Sequence, residues 1–264
     1  MSIELTINNE IAEITLDRPE KHNAFDDGVI AELIDAFEQA GVSKTVRVIV
    51  LRANGKHFSA GADLGWMRRM ADMDRKQNRA DARELARLMS TIANAPRPVI
   101  CRVQGAAFGG ALGLICASDI AIASDNSRFC LSEVKLGILP AVISPYVVAA
   151  MGPRQARRYF MSAEVIPATR AQQLGLVHEV VAEQDLDNSI DSCIEALLAG
   201  APGAQLAARS LIDRVGYSAV DKPMLDYTAD LIAELRTRDE GREGLSAFLE
   251  KREPEWRLNG GKDD

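Results

Sequence analysis

Three short runs constrain this chain more than anything else in it: VRVIVLRA (46–53), PVICRVQG (98–105) and DIAIAS (119–124). Each is dense in β-branched and aliphatic residues with few polar interruptions, the composition of a strand covered on both faces. LVHEVV (176–181) is a later run of the same kind. Segments with helical spacing lie between and after them, at about 76–94, 108–117, 144–161, 169–174, 184–199 and 203–213. Buried strands alternating with amphipathic helices predict an α/β domain.

The N-terminal stretch IELTINNEIAEITLDR reads as two alternating strands about Asn8–Asn9, a β-hairpin. DDGVIAELIDAFEQAGV then repeats apolar residues at Val29, Ile30, Leu33 and Phe37, with Gly41 as the expected stop. Beyond residue 200 the strand pattern ends, and PGAQLAARSLIDRV, PMLDYTADLIAELRTR and EGREGLSAFLEKREPEW are all helical. Residues 1–199 are therefore expected to form the core and 200–264 a helical second region, ending in the charged tail NGGKDD.

Composition narrows the function. A net charge of −7 argues against nucleic acid as a partner, because a phosphate backbone repels an acidic surface. No apolar run approaches the roughly 20 residues a membrane-spanning helix needs, and the N-terminus lacks a signal pattern, so a cytoplasmic protein is expected. Cys101, Cys116, Cys130 and Cys193 stand far apart, with no metal spacing, and read as core thiols. His22, His57 and His178 have no partner at triad or metal spacing and read as structural. The charged stretch MRRMADMDRKQNRADARELARLM reads either as a solvated helix or as an element over a pocket that offers Arg68 or Arg69 to an anionic substrate.

Two strands end in small-residue turns, KHFSAGADLGWM and GAAFGGALG. Neither has dinucleotide or P-loop spacing. Glycine lets another group approach the backbone, and the first N–H groups of a helix lack internal acceptors. Two such turns facing one another can aim two N–H groups at one oxygen, an oxyanion hole; close helix–strand packing explains the same glycines. Downstream, RFCLSEVKLGILP places Glu133 in apolar surroundings, which raise a carboxyl pKa and suit a proton shuttle; an ordinary ion-paired or capping glutamate is the alternative. Trp66 and Met67 either line a pocket or simply pack.

Taken together, LDRPEKHNAF, FSAGADL, VQGAAFGGALGLICASDIAIAS, SEVKLGILP, ARRYFMSAEVIPATRAQQLGLVHEVV and FLEKREPEW resemble the crotonase, or enoyl-CoA hydratase/isomerase, superfamily along nearly the whole chain. The resemblance implies an α/β spiral of β-β-α units with a helical C-terminal region that builds homotrimers, often paired into hexamers. It implies acyl-CoA substrates and no metal or redox cofactor, coenzyme A being part of the substrate. By position, the N–H groups of Ala62 and Gly110 would form the oxyanion hole and Glu133 would be the acid/base. The backbone of Ala60, Asp63 and Leu64 would hold the adenine and pantetheine parts, and the chain from Lys21 to Ala24 would line the CoA site. Lys56, with Phe248 and Lys251 from a partner subunit, would stand at the nucleotide end.

One position departs from the pattern. The two-glutamate hydratases of this family carry a further acid where this chain has Gly113, so one carboxylate must serve. A single glutamate at the Glu133 position is also found in some Δ3,Δ2-enoyl-CoA isomerases. GADLGWMRRM and FCLSEVKLGILPAVISPYVV, however, look most like bacterial methylglutaconyl-CoA and isohexenylglutaconyl-CoA hydratases. A hydratase of a branched 2-enoyl-CoA, such as 3-methylglutaconyl-CoA, is therefore expected, as in leucine breakdown. Gly113 would open space beside C3. An isomerase is the alternative, and an acyl-CoA-binding subunit with decayed catalysis a third reading.

Overall fold

The computed structural model describes residues 2–216 and 218–258; the NGGKDD tail lies outside them. Nine strands and eleven helices are present among the described residues. The strands are β1 (Ile3–Asn8), β2 (Ile11–Leu16), β3 (Val48–Ala53), β4 (Val99–Val103), β5 (Ala106–Phe108), β6 (Ile120–Ser124), β7 (Arg128–Cys130), β8 (Ile166–Pro167) and β9 (Glu179–Val181). The helices are α1 (Asp27–Val42), α2 (Leu64–Asp72), α3 (Arg75–Ala93), α4 (Ala111–Ala117), α5 (Ser144–Ser162), α6 (Ala168–Leu174), α7 (Leu186–Leu198), α8 (Pro202–Val215), α9 (Lys222–Thr237), α10 (Asp239–Glu250) and α11 (Glu255–Leu258).

A six-stranded sheet runs in the order β1-β2-β3-β4-β6-β9, and a three-stranded sheet in the order β5-β7-β8. The hairpin β1–β2 is antiparallel, and every later pairing in the large sheet is parallel. The continuous apolar runs supply its middle: Val48, Ile49, Val50 and Leu51 of β3 and Val99, Ile100 and Cys101 of β4 are all buried. The mixed α/β architecture expected from the alternation is the one observed.

Local chemistry fixes the element ends. Asn9 takes the left-handed conformation that a tight hairpin turn asks for (φ 52°). Asp26 caps α1 by accepting the Val29 N–H at 3.0 Å. One expected boundary holds to within a residue and one differs. Helix α1 ends at Val42, one residue past the expected stop, and Gly41 packs against Pro96, whose Cγ stands 3.0 Å from the position of a Cβ. The helix expected from residue 108 starts at Ala111, because Gly105 and Gly109 adopt positive φ (61° and 54°) and leave Ala106–Phe108 free to pair with β7.

The chain divides into two compact units, residues 1–192 and 193–264, with the division inside α7. In the second unit, Glu240 accepts the Gly203 N–H at 3.0 Å, and the Trp256 indole N–H donates to the Ala199 carbonyl at 3.1 Å. No helix among the described residues is long and apolar enough to cross a membrane.

Candidate active site

Past β3 the chain passes through Phe58 and Ser59 into the first small-residue turn. Ser59 bridges to Ala107 of β5: its N–H donates to the Ala106 carbonyl at 3.1 Å, and its own carbonyl accepts the Phe108 N–H at 3.0 Å. Gly61 follows with φ 88°, and a Cβ there would lie 2.7 Å from the Phe108 carbonyl oxygen. Only glycine allows the two turns to come this close. Next, Phe25 accepts the Asp63 N–H and donates to the Gly61 carbonyl, both at 2.9 Å. These two bonds flank Ala62, so its own N–H faces away from Phe25 and has no acceptor among the described residues.

Gly110 opens α4. The Gly109 N–H is taken by the Cys130 carbonyl at 2.8 Å, whereas the Gly110 N–H has no acceptor among the described residues. Ala62 and Gly110 line one cavity of about 260 Å³. Two residues with N–H groups free of acceptors among the described residues thus border one space, an arrangement compatible with an oxyanion site.

Glu133 lines the same cavity, at the start of a short 3-10 turn over Glu133–Leu136 that follows β7. Burial pushes its carboxyl pKa up, opposed only by a backbone N–H. Its Oε2 is buried without a hydrogen-bond partner among the described residues. A carboxyl with no ion-pair partner among the described residues, lining a largely apolar cavity and with its pKa raised by burial, suits a proton shuttle. Gly109 lies beside it: a Cβ there would stand in ordinary contact with Glu133 Oε1 at 3.4 Å, and it is the positive φ of 54° that favours glycine at this position.

The space expected beside Gly113 is not open. A Cβ at Gly113 would meet Ile143 Cγ2 at 2.3 Å and Met89 Sδ at 2.7 Å. Ile143 and Met89 are both fully or nearly fully buried, and Ile143 itself lines the cavity. The position of the absent acid is thus filled by hydrocarbon, and Gly113 is glycine because its neighbours occupy its side-chain volume.

The segment Lys21–Ala24 is knotted in place by buried Asn23. Its side chain donates to the Asn54 and His57 carbonyls, each at 2.8 Å, and accepts the Arg18 N–H at 2.8 Å. Ala24 is buried, and its carbonyl accepts from Arg18 Nη1 at 3.2 Å. Asp63 caps α2 through the Gly65 and Trp66 N–H groups, which hold its carboxyl below the usual range, helped by Lys21 at 3.7 Å and Arg18 at 3.8 Å. The Ala60 N–H is taken by the His22 carbonyl and that of Asp63 by Phe25, so neither is available as a donor. The Asp63 carbonyl accepts the Met67 N–H at 2.9 Å. Leu64 and Lys56 are exposed beside this segment. Phe248 of α10 is 81 % exposed in the second unit, and Lys251, just beyond that helix, is exposed in a left-handed conformation.

Neither arginine of α2 lines the cavity: Arg69 is paired with Asp27, and Arg68 is exposed. Of the two readings of this charged stretch, these arginines fit the solvated, ion-paired helix. Trp66 both packs and lines the cavity, and Met67 does not line it. Asp81, Asn78 and Leu85 of α3 line it too, although nothing in the charge pattern of their stretch marks them out. Asp81 accepts the Trp66 indole N–H at 3.0 Å. Trp66 and Asp81 lie fifteen positions apart on different helices, so no local spacing signals the pair.

Two histidines serve the backbone. His57 Nδ1 accepts the Ala106 N–H at 3.1 Å, and His178 Nδ1 accepts the Ala121 N–H at 3.0 Å. Burial, with the nearby charges of His22, Lys56 and Arg128, lowers the pKa of His57. The Cys101 thiol is pushed up by burial, as is that of Cys116, to about 12, so neither is a nucleophile at neutral pH. No cluster of three or more metal-ligating side chains occurs among the described residues.

Residues 6–259 match the family model described as enoyl-CoA hydratase/isomerase. The chain is 30 % identical to the trans-2-decenoyl-[acyl-carrier-protein] isomerase of Streptococcus mutans over 252 residues, 95 % of each chain. It is likewise 30 % identical to the 2,3-dehydroadipyl-CoA hydratase of Escherichia coli over 246 residues, 92 % of this chain and 94 % of that one. A crystal structure of an enoyl-CoA hydratase from Shewanella pealeana superposes with a TM-score of 0.94 at 50 % identity, covering 97 % of this chain and 96 % of the other.

Proposed function

The chain belongs to the enoyl-CoA hydratase/isomerase family, and on that premise we propose that it adds water across the double bond of a 2-enoyl-CoA, with Glu133 as its one catalytic carboxylate. The observation that supports this reading is the shared cavity: Ala62 and Gly110, whose N–H groups have no acceptor among the described residues, and Glu133, whose Oε2 has no partner among them, all line it. The two N–H groups bind the thioester oxygen and strengthen their hold as negative charge grows there in the enolate. Glu133 deprotonates water as it adds to C3 and returns the proton to C2. The reaction needs no metal or cofactor beyond the coenzyme A that the substrate carries.

For the acyl group, we propose a substrate branched at C3, with 3-methylglutaconyl-CoA as the first to test. Its support is the likeness of GADLGWMRRM and FCLSEVKLGILPAVISPYVV to hydratases of such substrates. The support expected from space at Gly113 is withdrawn, and Arg68 and Arg69 supply no cation in the cavity. The CoA moiety is proposed to lie along Lys21–Ala24, Ala60, Asp63 and Leu64, with Lys56 at its nucleotide end. A homotrimer or homohexamer would bring Phe248 and Lys251 of another subunit there, and light scattering measures that state directly. Buried free thiols at Cys101 and Cys130 suit a reducing, cytoplasmic setting.

A second reading has its own observation. With Ile143 and Met89 where a second acid would stand, water has one carboxylate to hold it, which favours proton transfer between C2 and C4, isomerisation. Product analysis in 18O-labelled water separates the two, using 3-methylglutaconyl-CoA, crotonyl-CoA and a 3-enoyl-CoA with wild type and Glu133→Gln. Label at C3, lost in the variant, supports hydration. A moved double bond without label supports isomerisation, and binding without reaction leaves only an acyl-CoA-binding role.

A further inference from the structure

Phe25 touches both arms of the oxyanion site. Through its backbone it bonds to Gly61 and Asp63, the residues on either side of Ala62, both at 2.9 Å. Through its ring it presses on Gly110, where a Cβ would lie 2.7 Å from Phe25 Cζ and 3.3 Å from Cε2. The ring is 1 % exposed and is backed by Trp66, whose ring centroid lies 6.4 Å away at 48°. Trp66 is in turn tied by its indole N–H to Asp81 at 3.0 Å. Gly110 has ordinary right-handed helical angles (φ −55°, ψ −21°), so its backbone does not require glycine; the aromatic ring does.

From this we infer that Phe25 is a positioning residue that sets the separation of the Ala62 and Gly110 N–H groups, with its backbone fixing one donor and its ring the other. Resting on the oxyanion site proposed above, the inference assigns that site's dimension to a side chain that performs no chemistry. An oxyanion site works by preorganisation, and a misplacement of about 1 Å is enough to cost on the order of 10²-fold in rate. Removing the ring frees α4 to settle toward the gap without unpairing either donor's neighbours. Ground-state binding draws on the whole CoA moiety, so kcat should respond far more than KM.

The test is a size exchange. Phe25→Ala, Phe25→Leu, Gly110→Ala and the double variant Phe25→Leu/Gly110→Ala are compared with wild type for kcat and KM on crotonyl-CoA. The same set is titrated with 4-(dimethylamino)cinnamoyl-CoA, a conjugated thioester whose absorption moves to the red when its carbonyl is polarised. Leucine stops short of the ring's Cζ and leaves room for the alanine methyl, so the double variant should recover what each single change loses. The expected result is a loss of about 10²-fold in kcat for Phe25→Ala, with KM within a few-fold and a diminished red shift. In Phe25→Leu/Gly110→Ala both kcat and the shift recover above either single variant. A full red shift and unchanged kcat in Phe25→Ala, with only the melting temperature lowered, would overturn the inference. So would a double variant no better than the worse single one, or Phe25→Ala that fails to bind the probe. A wild-type complex without any red shift would instead defeat the oxyanion reading itself.

Discussion

Restoring an acid at position 113 is the obvious route to a two-carboxylate site, and the structure predicts that Gly113→Glu strongly destabilises the protein. The first methylene alone would stand 2.3 Å from Ile143 Cγ2 and 2.7 Å from Met89 Sδ, both inside the core. Overpacking of this kind costs roughly 1–3 kcal/mol. Replacing a mid-helix glycine returns about 0.5–1 kcal/mol, less than the clash takes. Burying the carboxyl costs more than the clash. Enclosed by hydrocarbon, it folds in its protonated form, whereas the unfolded chain ionises near pH ~4.3, so at pH 7 the protonation costs about 3–4 kcal/mol. The sum, roughly 3–6.5 kcal/mol, is a large share of the whole stability of an ordinary domain, about 5–15 kcal/mol. Urea unfolding of wild type, Gly113→Ala and Gly113→Glu from pH 4 to 8 separates the steric cost from the cost of protonation. Gly113→Ala should lose about 1 kcal/mol at every pH, and the added deficit of Gly113→Glu should grow as pH rises above about 4.3. Gly113→Ala with stability equal to or above wild type would sink this explanation, because Ile143 would then not fill that space.

Other perturbations follow from the same geometry. Glu133→Gln should lower turnover by about 10²–10⁴-fold while leaving acyl-CoA binding intact, as steady-state rates and titration with a saturated acyl-CoA will measure. The raised pKa of Glu133 carries a stability consequence. Because the native state holds that proton more tightly than the unfolded chain does, stability falls as pH rises from the ordinary glutamate value through the raised one. Glu133→Gln should therefore be more stable than wild type at neutral pH and no more stable at pH 4, in thermal melts. His57 has the opposite linkage: its lowered pKa makes the native state resist protonation, so its contribution is lost as pH falls below about 6.5, and His57→Asn should flatten that limb of the melting profile. Asp63→Ala removes the cap of α2, at a cost of about 0.5–2 kcal/mol, and should raise hydrogen exchange at Gly65 and Trp66 first.

Much of this architecture is legible in the sequence because it depends on local signals. The β-branched runs specify β3, β4 and β6, and Asn9 and Asp26 mark a turn and a cap by their own chemistry. The glycine turns and Glu133 stand out as candidates in the sequence, but their neighbours alone leave packing or ion-pairing as alternatives. The rest depends on contacts across the fold. Gly113 reads as open space until Ile143 and Met89 arrive from elsewhere in the chain. Arg69 reads as a free cation until Asp27 is placed beside it. Asp81 is one acid in a charged stretch until Trp66 donates to it, and Phe25 is one more buried aromatic until its ring meets Gly110. The helix start near Gly105–Gly109 differs from the sequence pattern for the same reason, since a glycine stops a helix or lets something pack against it according to its neighbours.

On the proposed mechanism, one buried carboxyl moves the C2 proton of a thioester whose oxygen is held by the Ala62 and Gly110 N–H groups. Hydrogen exchange at C2 of butyryl-CoA in D2O, followed by NMR, isolates that step, because a saturated substrate can neither take up water nor shift a double bond. Exchange above the solvent rate in wild type, abolished in Glu133→Gln while binding persists, is the expected result. Undiminished exchange in Glu133→Gln would rule out Glu133 as the proton carrier, whichever overall reaction the enzyme carries out.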